Sequence, residues 1–178
     1  AHTFGVTANN GLFTSLPSAS SPSVVPATVP GTPTSVAATS TTSGSATVTF
    51  TAPASNGGSA ITGYTITSSP AGATCTVGAN ATTYTCTGLT DGTAYTFAVV
   101  AVNSVGNSVA GSSTTALTTQ GAASAPTTIS AVAGDSKATV TFSGTVANGS
   151  TITGYTVKAY DSTGNEVSGA TCTVTTAA

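Results

Sequence analysis

The sequence predicts an all-β chain: tandem β-sandwiches behind an extended N-terminal tail. Three observations predict it. Short runs in which apolar residues alternate with Thr are separated by Gly, Asn and Pro turns about 8–12 residues apart, and no segment carries a 3.6-residue period. The block from Ser45 to Val77 is written twice: Ala46-Thr47-Val48-Thr49-Phe50, Ile61-Thr62-Gly63-Tyr64-Thr65 and Gly72-Ala73-Thr74-Cys75-Thr76-Val77 return at offsets of 92, 91 and 97 residues. Offsets of that size mean a repeated small domain and not a solenoid. Finally, Pro17, Pro22, Pro26 and Pro30 punctuate a Ser-, Ala- and Val-rich opening segment, where Pro disfavours both helix and central strand.

The elements follow in chain order. His2 to Thr7 reads as a short strand. Leu12, Phe13 and Leu16 form an apolar knot, and Leu16 to Gly31 reads as an extended linker. Residues 1–31 are therefore tail and linker. The tail residues Phe4, Val6, Leu12, Phe13 and Leu16 are candidates for docking onto a neighbouring subunit or for packing on the chain's own first domain. From residue 32 strands are expected over Thr34–Thr39, Ala46–Thr51, Ile61–Thr67, Thr74–Val77, Thr82–Thr87 and Thr93–Asn103, with Ser108–Leu117 closing the unit near residue 119. The Asn56-Gly57-Gly58 loop carries the strongest turn signal. Alternation places Val36, Val48, Phe50, Ile61, Tyr64, Ile66, Leu89, Tyr95, Phe97 and Val99 in one core. Residues 120–125 form a linker. The second copy, 126–178, begins with strands near Ile129–Val132, Lys137–Phe142, Ile152–Tyr160 and Thr171–Thr175. Counterparts of Leu89, Tyr95 and Phe97 are missing from it, so the natural chain is expected to continue past Ala178 or to be completed by something else.

Composition narrows function. Six residues of 178 are charged, where about a quarter is usual. Asp91 is the only charged side chain before Asp135. No basic patch can form, which excludes phosphate-driven nucleic-acid binding. No run of 18 apolar residues suggests a membrane span. The apolar fraction of 39% argues for folding and against a low-complexity polymer. A surface so poor in charge favours self-association.

These residues resemble bacterial fibronectin type III domains. The resemblance rests on Pro33 before the first strand, Ala46 to Phe50, and Asn56-Gly57-Gly58-Ser59-Ala60-Ile61-Thr62-Gly63-Tyr64. It continues through Thr87-Gly88-Leu89-Thr90-Asp91-Gly92-Thr93-Ala94-Tyr95-Thr96-Phe97 and Ala101-Val102-Asn103-Ser104-Val105-Gly106. It covers Pro33 to Thr119, with only the first half of the family pattern over Pro126 to Val174. The resemblance implies an immunoglobulin-like sandwich in which Leu89 plugs one end and Tyr95 makes a tyrosine-corner hydrogen bond. Phe50 stands where many members carry Trp.

Cys75 and Cys86 flank a short loop, and both alternate with core-facing positions, which makes them a disulfide candidate. Cys172 occupies the place of Cys75 in the second copy, and its partner by the same offset would lie past Ala178. Three buried free thiols are the alternative. A disulfide points outside the cytosol or to a virion. Asn80-Ala81-Thr82 and Asn148-Gly149-Ser150 fit the N-glycosylation pattern, so Asn80 and Asn148 are candidate glycan acceptors. His2 reads as a bystander. Asp161 and Glu166 read as a solvated hairpin tip, too poor in oxygens for calcium. The sequence carries no catalytic, cofactor or metal motif.

The expectation is a non-catalytic extracellular structural or adhesive protein, a subunit or spacer of a cell-surface filament, fibre or layer. Its partners would be other copies of itself or neighbouring subunits. A virion protein of a phage tail or capsid, and a linker or binding module of a larger secreted enzyme, are the alternatives.

Overall fold

The computed structural model describes residues 1–40, 42–76 and 81–169, and divides into two compact units, Ala1–Gly121 and Ala122–Ala178. Among the described residues ten strands run in chain order: β1 Thr34–Thr39, β2 Ser45–Thr51, β3 Ile61–Ser69, β4 Thr74–Cys75, β5 Thr83–Thr87, β6 Ala94–Asn103, β7 Gly111–Ser112, β8 Leu117–Thr118, β9 Thr128–Gly134 and β10 Lys137–Ser143.

In the first unit one sheet has the order β1-β2-β5-β4. The other has the order β3-β6-β7, with β8 also paired to β6. Alternation explains the layers. In β2, Ala46, Val48 and Phe50 are buried while Thr49 and Thr51 are exposed; in β6, Tyr95, Phe97, Val99 and Ala101 are buried. A strand presents successive side chains to opposite faces, so each sheet has an apolar inner face, and the two inner faces enclose the core. Nine of the ten core residues expected from alternation are buried. Ile61 is only partly so. The core also contains Ala46, Tyr84, Cys86 and Ala101.

Aromatic rings organise the centre. Phe50 and Tyr64 meet edge-on at 4.7 Å, and Tyr84 lies parallel to Phe50 at 5.7 Å. Tyr84 is carried by β5, which pairs with β2 in a register that sets Val48 opposite Tyr84 and Ala46 opposite Cys86. At the end of the sandwich Leu89 is buried, and the Tyr95 hydroxyl accepts a hydrogen bond from the Thr90 N–H at 3.1 Å. This is the bond that the family resemblance implied. The fully buried Thr119 hydroxyl donates to the Thr90 carbonyl at 2.6 Å, closing the same end.

The closing segment departs from the expected single strand. Ser108–Leu117 yields two two-residue strands, because Ser108 and Ser113 turn their hydroxyls onto the β6 N–H groups of Ala101 and Phe97, at 3.0 and 3.1 Å, in place of ladder carbonyls.

In the second unit β9 and β10 form a hairpin in continuous register from Lys137–Gly134 to Ser143–Thr128. Phe142 and Tyr155 meet at 4.7 Å with planes at 59°, close to the Phe50–Tyr64 geometry. The strand expected over Ile152–Tyr160 does not form. Its counterpart β3 exists by pairing with β6 along its length, and among the described residues of the second unit no counterpart of β6 is present. The strand expected over Thr171–Thr175 lies outside the described residues.

Phe97 is 1% exposed at the centre of the longest strand. Phe97→Ala is expected to lower stability by about 3–5 kcal/mol, measured as a fall in the denaturant midpoint of the first unit.

Candidate functional site

The tail is a paired arm. Residues 2–8 run against residues 15–24, but not as a ladder. The N–H groups of Phe4, Val6 and Ala8 donate to the hydroxyls of Ser21, Ser18 and Ser15 at 3.0–3.1 Å, and their carbonyls accept from the N–H groups of the same serines at 2.8–2.9 Å. One arm advances two residues for every three on the other. The three-residue step belongs to an extended, Pro-punctuated conformation and the two-residue step to a strand. The strand expected at His2–Thr7 is therefore reduced to an isolated bridge between His2 and Val24, because serine hydroxyls take bonds that strand carbonyls would make.

The linker end of this arm is anchored. Thr28 N–H donates to the Gly57 carbonyl at 2.7 Å, and Gly31 N–H to the Ser55 carbonyl at 2.9 Å. Asn103, 4% exposed, donates its side-chain amide to the carbonyls of Thr28 and Asn56 at 2.8 and 2.9 Å, while its Oδ1 accepts from Val105 and Gly106. Gly57 sits at φ +70°, and a Cβ there would meet the Thr28 carbonyl oxygen at 2.2 Å. Only glycine allows this approach. The alternation pattern marked Asn103 as a strand end and gave no sign of this role, since its partners lie 75 and 47 residues away.

The tail's apolar side chains face outward. Phe4, Val6, Leu12, Phe13 and Leu16 are 60%, 71%, 85%, 74% and 90% exposed. None belongs to the core cluster, so the alternative that they pack on the first domain is not what the structure shows. The second unit also exposes apolar surface: Ile129, Val132, Val146 and Tyr160 lie open, and a groove of about 810 Å³ is lined by Ile129, Ala138, Val140, Phe142 and Tyr155 among others. Clustered apolar exposure of this kind marks interaction surface.

The remaining sequence candidates fall as follows. Cys75 and Cys86 form a disulfide between β4 and β5, with Cα atoms 3.9 Å apart. Cys172 and Asn80 lie outside the described residues. Asn148 occupies a turn at φ 51°, and its side-chain nitrogen, the atom a glycan would take, donates to the Ala122 carbonyl at 2.7 Å. Asp161 accepts from the Thr163 hydroxyl and N–H and the Asn165 N–H, and Lys158 pairs with Glu166 at 2.8 Å. Both carboxylates thus serve the hairpin tip.

Asp91 has a role that the sequence did not signal. It accepts from the Ser43 hydroxyl and, at 2.8 Å, from the Gly44 N–H, tying the β1–β2 turn to the loop before β6. These hydrogen bonds, Ser43 first and Gly44 second, hold its carboxyl below the usual carboxylate range.

Residues 31–118 match the fibronectin type III domain family. The fibronectin type III segment thus comprises the whole two-sheet sandwich. No curated protein matches the chain. Among solved structures, titin kinase with its flanking domains aligns at 32% identity over 49% of this chain and 17% of that one, with a TM-score of 0.40. A crystal structure of titin domains aligns at 34% identity over 51% of this chain and 33% of that one, with a TM-score of 0.41. A two-domain fibronectin type III segment of chicken tenascin aligns at 24% identity, over 62% and 61% of the two chains, with a TM-score of 0.40. This chain spans less than two thirds of each of these proteins. Among the described residues no helix is long and apolar enough to cross a membrane.

Replacing the bridge by Cys75→Ala with Cys86→Ala should cost about 2–3 kcal/mol for so short a loop, read as a shift in the denaturant midpoint that matches the effect of reductant on the unaltered protein. For Asp91, the folded-state carboxyl titrates below its unfolded value of about 3.9. Its contribution is therefore full above that value and is lost as pH falls through the lower folded-state value. Asp91→Asn should lower Tm at pH 7, and the difference from the unaltered protein should shrink as pH drops below about 4.

Proposed function

We propose that this protein is a non-catalytic, extracellular structural subunit that assembles with further copies of itself into a surface filament, fibre or layer. Fibronectin type III domains are a common structural and binding module, and the match over residues 31–118 supports a place in that class. The observation that carries the reading is the exposure of apolar side chains on both the N-terminal arm and the second unit, in a chain with six charged residues. Such a surface has little electrostatic repulsion to keep copies apart. A disulfide supports an oxidising compartment. In this reading the second unit is the first half of another fibronectin type III copy. The repeated sequence and the repeated contact of Phe142 with Tyr155 support that assignment.

The test is removal of residues 1–16. The core lies outside the arm, so the shortened protein should keep its β circular dichroism and its cooperative unfolding. Polymers seen by light scattering and electron microscopy should vanish. Unchanged polymers would remove the arm from any role in assembly.

A further inference from the structure

We propose that residues 26–31 form a strap that closes and opens on the first unit as one element while the sandwich stays folded, and that residues 122–124 are its counterpart on the second unit. Closed, the strap makes the linker a fixed extension of the domain that follows it. Open, it makes the linker a free spacer. Self-assembly is not required for either state.

The strap is held by loops and not by a ladder. Thr28 N–H donates to the Gly57 carbonyl and Gly31 N–H to the Ser55 carbonyl, so the strap runs antiparallel to the loop. Thr28 is gripped at both of its backbone groups, because its carbonyl accepts from Asn103 Nδ2 at 2.8 Å. Pro30 is buried, yet residues 26–31 belong to no strand and to no part of the hydrophobic core. The loop is shaped for this contact. A Cβ on Gly57 would overlap the Thr28 and Val29 carbonyl oxygens, and one on Gly58 would meet the Pro26 carbonyl oxygen at 2.9 Å. Backbone lies against backbone at two successive glycines, which a turn by itself does not require.

Asn103 sets the balance between the two states. A side-chain amide offers two donors and two acceptor positions, and all four are used here. Nδ2 donates to Thr28 and Asn56, and Oδ1 accepts from Val105 and Gly106. Asn103 is 4% exposed. Opening removes one acceptor and leaves a buried amide hydrogen for entering water to satisfy, so the closed state is favoured. The bonds to Asn56, Val105 and Gly106 lie within the unit and survive opening, so the loops keep their shape. The strap's few bonds also stand against the whole β3–β6 ladder. Segments with few buried contacts open locally before the fold does. Once released, six residues can extend to about 20 Å.

The second unit repeats the arrangement. Ser55, Gly57 and Gly58 correspond to Val146, Asn148 and Gly149 at the offset of 91 that relates Ile61 to Ile152. Gly57 and Gly58 have φ of 70° and 80°, and Asn148 and Gly149 have 51° and 84°. Ser124 N–H donates to the Val146 carbonyl at 2.9 Å, as Gly31 does to Ser55. The Ala122 carbonyl accepts from Asn148 Nδ2 at 2.7 Å, as Thr28 accepts from Asn103. Each unit thus gives its preceding linker one loop carbonyl and one asparagine amide. The asparagine comes from a different loop position in the two units, so the pairing recurs although the residue does not.

The experiment is residue-resolved amide hydrogen exchange on the full chain. Thr28 and Gly31 should exchange at least about tenfold slower than an unstructured chain and at least about tenfold faster than Val100 in the β3–β6 ladder. Gly57→Ala should speed Thr28 and Gly31 by about tenfold or more relative to Val100. Gly44→Ala is the control: it has a similar φ of +67°, and a Cβ there would meet the Leu89 carbonyl oxygen, away from the strap. That substitution should leave the ratio unchanged. Asn103→Asp puts an oxygen in place of Nδ2 and should open the strap as Gly57→Ala does. Asn148→Ala should speed Ser124 and leave Thr28 as it was. Thr28 and Gly31 exchanging at the unstructured rate would mean that no strap closes. Rates equal to that of Val100 would mean that it never opens apart from the sandwich. An equal change of ratio in Gly57→Ala and Gly44→Ala would overturn the close approach as its basis. Ser124 exchanging at the unstructured rate would remove the counterpart from the second unit.

Discussion

The pairing of β5 with β2 is the contact on which the sandwich depends. It sets Tyr84 flat against Phe50, seats Cys86 in the core beside Ala46, and places β5 where β4 pairs with it. Through the disulfide it also ties the edge of the sheet to its middle. A strand satisfies its backbone only through neighbours, so a sheet is built from pairings and not from the preference of single segments. The second unit shows the same constraint in reverse. Residues 152–160, which open with the same Ile-Thr-Gly-Tyr-Thr as β3, stay irregular, and among the described residues of that unit nothing corresponds to β6.

Near-absence of charge shapes the rest. With so few ions, the polar work falls to hydroxyls and side-chain amides. Ser15, Ser18 and Ser21 hold the arm, Ser108 and Ser113 close the edge of β6, and Asn103 fastens the linker. Asp91 joins two loops through neutral donors, not through an ion pair. Among the described residues no buried side-chain polar atom lacks a partner. Neutral bonds of this kind are insensitive to salt.

Alternation is what made the sandwich legible. β1 falls where expected, and β2, β3, β5 and β6 do so to within a residue or two at either end, because Thr and apolar residues take turns with a period of two. Tyr84 carries a weaker core signal, because its run is short and Thr flanks it on both sides. The arm was harder to read. Its strand-like half pairs with a half of period three, and no single-period scan detects that match. Asn103 and Asp91 were hidden for another reason: their partners are distant in sequence, and a lone Asn or Asp carries no local signal of the loop it will hold.

The amino-acid order by itself determined which residues could face a core, where turns would fall, that a block of sequence was written twice, and that few contacts would be ionic. Those properties are local, set by side-chain chemistry and by a spacing of two along a strand. Tertiary structure alone decided which strands found partners, that Cys75 and Cys86 joined, that serines took the edge of the arm, and that Phe4, Val6, Leu12, Phe13 and Leu16 were left facing outward. Those outcomes depend on groups brought together from far along the chain. Pairing energy belongs to both members of a contact, and neither member encodes it alone.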